Sequence, residues 1–536
     1  MNTGRELIDF SGCIAFPRWN YENLTASSFL IRIYRRNIMG SRLRYHVLLA
    51  VIAFIATGFV FFGGCSKKKK TPFWFPPEPA PAPVPVIENI NSVSDPRTIV
   101  GVSIEINGTG FGDLPGLVTF SQNTNVAEVT PDNSGWCDTS IAVAVPASGS
   151  ENAFEVPGIL EVCVVTEGGN SNVMDLDLVQ IPSFNPSNLA WDNTATPLPE
   201  AKTGLKAATI RAGDNSAYMY VSGGQTDTAN SQEVLFVTHD VDNTNFILGG
   251  AWVATSPLPV PRAFHAMVSA DSANSPLAAG EAFVYVIGGQ ENSSDAPGGT
   301  ANVYYAPVNP DGTLGNWSET SALPDARLGH TAAVTKGNIY VMGGLDTDGN
   351  PTDAVFVAPI NPDGSLGSFS TASTSMPVAV GFHASFAFAG KLYVLGGLNG
   401  SSTDPNDYTV GSATHNTYFA SLSGWDIEQF TPTTTLNKAR KKHVAMNAFG
   451  QIIIGEGIYS GGPTVTEMWV TFINEDGTLD DWNALTNFNA PNAAVFNCAA
   501  AVSPIYPENG GPRFFLIGGM NKSGVRQSAV YMNTAP

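Results

Sequence analysis

Beyond position 86 the chain is dominated by short runs in which apolar and polar residues alternate, each closed by Gly, Asn, Asp or Pro. Val102, Ile104 and Ile106 stand at every second position, as do Ile141, Val143 and Val145. A period of two puts successive side chains on opposite faces of a strand, so each run predicts a half-buried β-strand. Runs with a helical period are absent. From Ile87 to about Pro182 the pattern predicts about seven strands, enough for a two-sheet sandwich. From Asn185 onward it recurs with a spacing of roughly 50–65 residues, which points to blades of a repeat architecture.

Three marks define that repeat. The first is a strand ending in a glycine pair, at Gly223-Gly224, Gly288-Gly289, Gly343-Gly344, Gly396-Gly397 and Gly518-Gly519, with Gly455-Glu456-Gly457 as a degenerate copy. The second is a linker led by Pro or Asn that carries a basic residue and then an imidazole, as in Pro259 to His265 and Pro324 to His330. Pro377 to His383 and Asn437 to His443 are further copies, and Pro199 to Leu205 has Lys202 but no His. The third is Asn-x-Asp-Gly, hairpin chemistry, followed five residues later by an aromatic: Gly312 and Trp317, Gly364 and Phe369, Gly477 and Trp482. Trp191, Trp252 and Trp425 are expected to supply the aromatic elsewhere.

In this order the marks resemble kelch repeats over about 350 residues. The resemblance implies four-stranded blades around a central channel. The first element, at Leu189–Ala195, matches an outermost strand and the last, Gln527–Asn533, a third strand, so the two are expected to pair and close the ring. Ile106-Asn107-Gly108-Thr109-Gly110-Phe111-Gly112, with Val118-Thr119-Phe120 and Trp136, is similar to the IPT/TIG family of immunoglobulin-like domains. That resemblance implies a spacer or protein-contact module. The fold class expected is therefore all-β: a six-bladed kelch-type β-propeller at 185–536 preceded by an immunoglobulin-like β-sandwich at 87–182.

The N-terminal segment has a different character. Val47 to Gly64 carries no charge, and Phe62-Gly63-Gly64-Cys65 closes it. This resembles a bacterial lipobox, with Phe62 where such signals usually carry Leu, and implies cleavage before Cys65 and lipidation of that cysteine. The reading assigns 1–38 to an upstream extension, 39–64 to a lipoprotein signal peptide and 65–86 to a Lys/Pro-rich tether. An uncleaved transmembrane helix is the alternative. Pro at nearly every second position of 76–85 favours an extended polyproline stalk. The expected location is a bacterial cell envelope, at the outer membrane or cell surface, with Ser66 compatible with outer-membrane sorting.

Charge narrows the function. The net charge is -20, and residues beyond position 70 carry fifteen basic against forty-three acidic side chains. Such a body repels phosphate backbones, which excludes nucleic acid as a partner. Within the repeat, the linkers should place Lys202, Arg262, Arg327 and Arg440 around one channel mouth, with Glu291 and Asp346 beside them. One reading is an exposed face that binds a carboxylate or acidic sugar; the other is cations paired between blades. The recurrent imidazoles read as packing, and no cofactor or metal ligand set is recognised. Asp346-Thr347-Asp348-Gly349-Asn350 lacks the bidentate Glu of a calcium loop. Cys137 and Cys163 fall on two predicted strands, where either a disulfide or two buried thiols fits. The leading functional reading is a non-enzymatic binding module for a protein or carbohydrate. Carbohydrate-active kelch enzymes are the alternative: a mutarotase-like site would need Glu291 with Arg262 or Arg327, and a copper radical oxidase a Cys–Tyr crosslink for which Cys498 is poorly placed.

Overall fold

A computed structural model describes residues 82–90, 97–98, 103–131, 135–146, 150, 158–178, 191–192, 195–211, 216–240, 251–271, 275–278, 280–292, 298–402, 404–407, 411–448, 450–460, 467–474, 476–485, 495–504 and 513–533. The expected extension, signal segment, Cys65 and most of the tether lie outside them. Among the described residues there is no helix.

Two sheets form the first folded part. Val86–Ile90, Ser103–Thr109, Ser140–Ala144 and Trp136–Cys137 make one, in that order. Arg97–Thr98, Met174–Leu178, Gly158–Thr166, Leu117–Gln122 and Asn125–Val129 make the other. The alternating apolar positions meet between them: Ile104, Ile106 and Ile141 join Phe120, Val162 and Val164 in one buried cluster. Trp136 closes its edge, and its indole N–H donates to the Gly112 carbonyl at 2.9 Å. Cys137 and Cys163 are free thiols. Each follows or precedes core residues at the strand period, Cys137 after buried Trp136 and Cys163 between buried Val162 and Val164. Both therefore face outward, on different sheets, and the disulfide allowed by the sequence does not form.

Most of the remaining strands make six antiparallel four-stranded sheets, the fourth carrying one extra short strand, and Arg440–Lys441 with Ile458–Tyr459 and Val495–Phe496 with Met520–Asn521 add two short two-stranded ladders. In the first sheet the order is Lys206–Arg211, Ser216–Ser222, Val234–Asp240, Val253–Ala254. The second to fifth sheets repeat this order, with innermost strands Ala266–Asp271, Thr331–Thr335, Ala384–Phe388 and Val444–Ala448. The sixth takes Ala499–Val502, Phe514–Ile517 and Val530–Asn533 from the end of the chain. Its outermost strand is Trp191–Asp192, with Trp191 opposite Asn533, as the repeat phase predicted. Each sheet shares a buried apolar cluster with the next, and the sixth shares one with the first, where Phe515 and Ile517 pack with Met219 and Leu235.

The glycine pairs sit where neighbouring sheets meet. In the second sheet a Cβ at Gly288 would lie 2.8 Å from His330 Cε1 of the third sheet, and one at Gly289 would lie 2.6 Å from the Cβ of the second sheet's own His265. Both have positive φ, 55° and 90°. Space and backbone angle thus demand glycine together. The degenerate copy is resolved by φ: Glu456, at 60°, occupies the first glycine's place, and Gly457, at 92°, the second's.

Tyrosines three residues before the glycine pair link successive sheets. Tyr220 donates its hydroxyl to the Gly312 carbonyl at 2.8 Å, Tyr285 to Gly364 at 2.7 Å and Tyr393 to Gly477 at 3.1 Å. The Asn-x-Asp-Gly turns are thus docking points for the preceding sheet as well as hairpins. In the fourth sheet the Trp425 carbonyl receives Tyr340. The Trp425 side chain is exposed, contrary to expectation, and Phe430 fills the buried place. Trp317 behaves as expected, its indole N–H bonded to the Ser256 carbonyl of the preceding linker at 2.9 Å.

Gly344 and Gly424 separate steric from torsional cost. A Cβ on Gly344 would come within 2.7 Å of His330 Cβ at φ 96°, whereas one on Gly424 meets nothing within 4 Å at φ 62°. Gly344→Ala should cost about 3 kcal/mol or more and Gly424→Ala about 1 kcal/mol. Denaturant unfolding of both variants checks this, and equal losses would contradict the packing role.

Candidate functional site

One residue before each linker's imidazole position, the six sheets contribute Gly204, Phe264, Gly329, Phe382, Lys442 and Asn497. All six have φ between 49° and 66°. Their peptide groups form a closed cycle. Phe264 N–H donates to Gly204 at 2.7 Å, Gly329 to Phe264 at 2.8 Å, Phe382 to Gly329 at 2.6 Å and Lys442 to Phe382 at 2.8 Å. Asn497 then donates to Lys442 at 3.2 Å, and Gly204 to Asn497 at 2.9 Å. This cycle surrounds one end of a small central cavity of about 30 Å³, lined by Lys206, His330, His383, His443, Lys442 and Cys498 among others.

Above the cycle the mouth is covered. Phe264 and Phe382 meet edge to face with centroids 6.1 Å apart. The Lys442 ammonium lies between the Phe382 and Phe496 rings at 5.2 and 5.6 Å. It donates to the carbonyls of Pro405 at 2.6 Å and Asp407 at 2.7 Å. Asn497 Nδ2 also reaches Pro405, at 3.2 Å, and Asn406 Nδ2 reaches Gln225 Oε1 of the first sheet at 2.7 Å. Residues 404–407, from the loop after the fourth glycine pair, therefore cap the mouth. Burial brings the Lys442 pKa down to about 7, aided by Lys441 and opposed by Asp404 and Asp407.

The four repeat cations do not form an open rim. Lys202, Arg262, Arg327 and Arg440 are all buried. Lys202 pairs with Glu233 and Ser231. Arg262 pairs with Glu291 at 3.1 Å and lies over the Tyr304 ring. Arg327 lies over Phe356 and contacts Asp325 at 3.5 Å. Arg440 lies over Tyr459 and donates to its hydroxyl at 3.3 Å. Their partners lie within their own sheet or its flanking loops, with Tyr304 and Phe356 on third strands, so these cations pack inside a sheet and not between neighbouring ones as the packing reading had them. Exposed acids on this face are Asp227, which pairs with Arg526 at 2.8 Å, Asp325, Asp348 and Asp404, with Glu291 and Asp346 partly exposed, and Lys438 and Lys522 are exposed beside them. Asp346 Oδ1 accepts the amides of Asp348 at 2.9 Å and Asn350 at 2.8 Å, so that loop is closed by its own carboxylate. With Arg262 enclosed, the Glu291–Arg262 pair presents only its carboxylate to solvent.

The imidazoles join neighbouring sheets, as expected. His265 Nε2 meets Ser222 Oγ at 2.8 Å and His383 Nε2 meets Thr331 Oγ1 at 2.8 Å. Burial, with the Lys206 charge nearby, brings His330 and His383 down to about 3 and keeps them neutral. Sequence reasoning missed Lys206 and Lys442. Both are singular within the repeat: at the position of Lys206 the other sheets have Ala266, Thr331, Ala384, Val444 and Ala499. The four copies of Tyr-Val-x-Gly-Gly, a signal for the intersheet tyrosines, were also legible.

No family model matches the chain. Kelch repeat and BTB domain-containing protein 12 of Danio rerio is 27% identical over 135 residues, 24% of this chain and 19% of that protein. The Homo sapiens protein of that name is 28% identical over 191 residues, 34% of this chain and 28% of that protein. The chain thus spans less than a third of the length of these curated relatives. The solved structure of YjhT is matched over 64% of this chain and 99% of that one, with a TM-score of 0.45 and 14% identity. The kelch similarity, together with the six antiparallel four-stranded sheets, supports a kelch-type propeller.

Glu456 gives a pH signature. Burial raises its pKa to about 8, against the opposing Val495 N–H and Arg440. A raised carboxyl pKa stabilises the fold fully below the unfolded value near 4.5 and loses that contribution as pH climbs to about 8. Lys442, lowered to about 7, acts in the other direction, with stability gained from about pH 7 to the unfolded value near 10.5. Glu456→Gln should flatten the decline between pH 4.5 and 8 in melting curves and leave the rise above pH 8. An unchanged decline would remove Glu456 as its source.

Proposed function

We propose that this chain is a lipid-anchored protein of a bacterial cell envelope whose six-bladed kelch-type propeller binds a protein or glycan without catalysing a reaction. In this reading an IPT/TIG-type immunoglobulin-like domain spaces the propeller from the membrane. The observation that carries the binding role is the capped mouth: residues 404–407 cover the cycle, and loops after the glycine pairs expose Asp227, Asp348 and Asp404. The repeat-locked cations and imidazoles are engaged in packing, so the recognition chemistry available to a ligand belongs to the loops. Carboxylates there suit sugar hydroxyls or basic side chains of a protein. A mutarotase-like reaction at Glu291 and Arg262 is the weaker reading, because the guanidinium is enclosed by Glu291 and Tyr304.

The anchor is tested at Cys65. Cys65→Ala should abolish incorporation of labelled palmitate and leave uncleaved precursor, and unchanged labelling would refute the lipoprotein reading.

The binding face is tested with glycan and protein arrays. Asp227→Asn combined with Asp348→Asn should reduce binding of any array hit at least tenfold while leaving the melting temperature unchanged, since exposed carboxylates contribute little to stability. A double variant that binds as the parent does would move the site elsewhere. Accelerated mutarotation of sialic acid, followed by NMR, would replace binding with catalysis.

A further inference from the structure

The central cavity gathers hydrogen-bond donors and positive charge. Lys206, on the innermost strand of the first sheet, lines it together with His330, His383, His443 and Lys442, and among the described residues no carboxylate lines it. Among the described residues the Lys206 ammonium has no hydrogen-bond or ion-pair partner. Its charge acts on His265, His330, His383 and Cys498, which belong to four different sheets, so it sits centrally.

A second donor is available at His383. Ser385 Oγ donates to Thr331 Oγ1 at 2.6 Å, and Thr331 Oγ1 meets His383 Nε2 at 2.8 Å. His383 is neutral, and when the Thr331 hydroxyl donates to Nε2 its ring proton lies on Nδ1, a buried atom with no hydrogen-bond partner. His383 itself is 4% exposed. Lys442 is committed to the cap by two carbonyls and adds positive potential from one side. Lys206 is half-buried, so its charge is only partly compensated by water, and a buried N–H is costly unless it meets an acceptor. One anion between Lys206 and His383 meets both demands.

We propose that the central cavity is a binding site for a single small monovalent anion of halide size, held by the Lys206 ammonium and the Nδ1–H of His383. Its volume of about 30 Å³ suits a guest of water or halide size. The burial that lowers the Lys206 pKa is countered when the anion binds, so the anion stabilises the fold more at low pH than at high pH.

The full-length chain in detergent is melted in sodium chloride, bromide or gluconate at equal ionic strength, at pH 6 and pH 9. Chloride and bromide should give a saturable rise of a few degrees over gluconate, larger at pH 6, and Lys206→Met should abolish it. Coincident halide and gluconate melts, or a halide rise retained in Lys206→Met, would overturn the proposal. Should that variant fail to fold, bromide-soaked crystals of the unsubstituted chain decide the matter. An anomalous peak beside Lys206 and His383 supports the site, and its absence refutes it.

Discussion

The structure depends on the closed cycle of peptide hydrogen bonds through Gly204, Phe264, Gly329, Phe382, Lys442 and Asn497. A linear hairpin ladder can gain or lose a strand without disturbing the rest. A cycle cannot, because each member donates to one neighbour and accepts from the other. It exists only if every sheet presents the same backbone angle at the same place. Four of the six members are not glycine and still hold φ near 50°, a conformation that costs about 1 kcal/mol or more each. That strain persists because the flanking strands and the cycle over-determine it. The imidazole or its replacement follows each member directly, and the glycine pairs are needed because those side chains pack against them.

Closure also explains the fate of the charged residues. A residue just outside the cycle has its backbone carbonyl taken by the neighbouring sheet: Gly224 N–H donates to Arg262, Gly289 to Arg327 and Gly519 to Lys202. With the backbone fixed, the side chain has one route, along the third strand of its own sheet, where an aromatic ring or a carboxylate receives it. A guanidinium over a ring tolerates such burial because it is weakly hydrated. At the corresponding place between the fifth and sixth sheets the arrangement changes. Glu456 replaces glycine and accepts the Val495 amide at 2.8 Å. Val495 stands where Lys202, Arg262, Arg327 and Arg440 stand in other sheets, so a carboxyl reaching from the neighbouring sheet substitutes for the missing cation's polar role.

The repeat was legible in the sequence because closure forces it to recur: glycine pairs, linker cations and imidazoles are spaced alike since each meets the same environment. Strand pairing at Trp191 could be foretold for the same reason. The direction of the cations could not. Recurrence tells that Arg262 and Arg327 are equivalent, but pointing towards the axis and pointing along the third strand are equally periodic. The partner rings, Tyr304 and Phe356, decide between them and lie some forty or fewer residues away. Trp425 misled for a related reason. It stands near the expected place, but Tyr340 takes its carbonyl, which fixes it in the turn and leaves Phe430 to fill the interface. The cysteines show the limit of strand assignment without sheet assignment, since both strands exist and face away from one another.

Residues that break the repeat carry the information the repeat lacks. A position used six times in the same way is answerable to the scaffold, and altering it disturbs closure. Lys206, Lys442 and the loop at 404–407 each occur once. Lys442 ties them together: its peptide belongs to the cycle, while its ammonium grips the Pro405 and Asp407 carbonyls. The backbone that closes the ring thereby positions the cation that holds the cap. The cap is also tied to the first sheet through Asn406 and Gln225, and Gln225 is in turn held by Arg526 of the sixth. Contacts from the fourth, fifth, sixth and first sheets thus converge on one short segment over the channel. A displacement of that segment has to break bonds to all of them at once, so the covered mouth is as much a product of closure as the cavity beneath it.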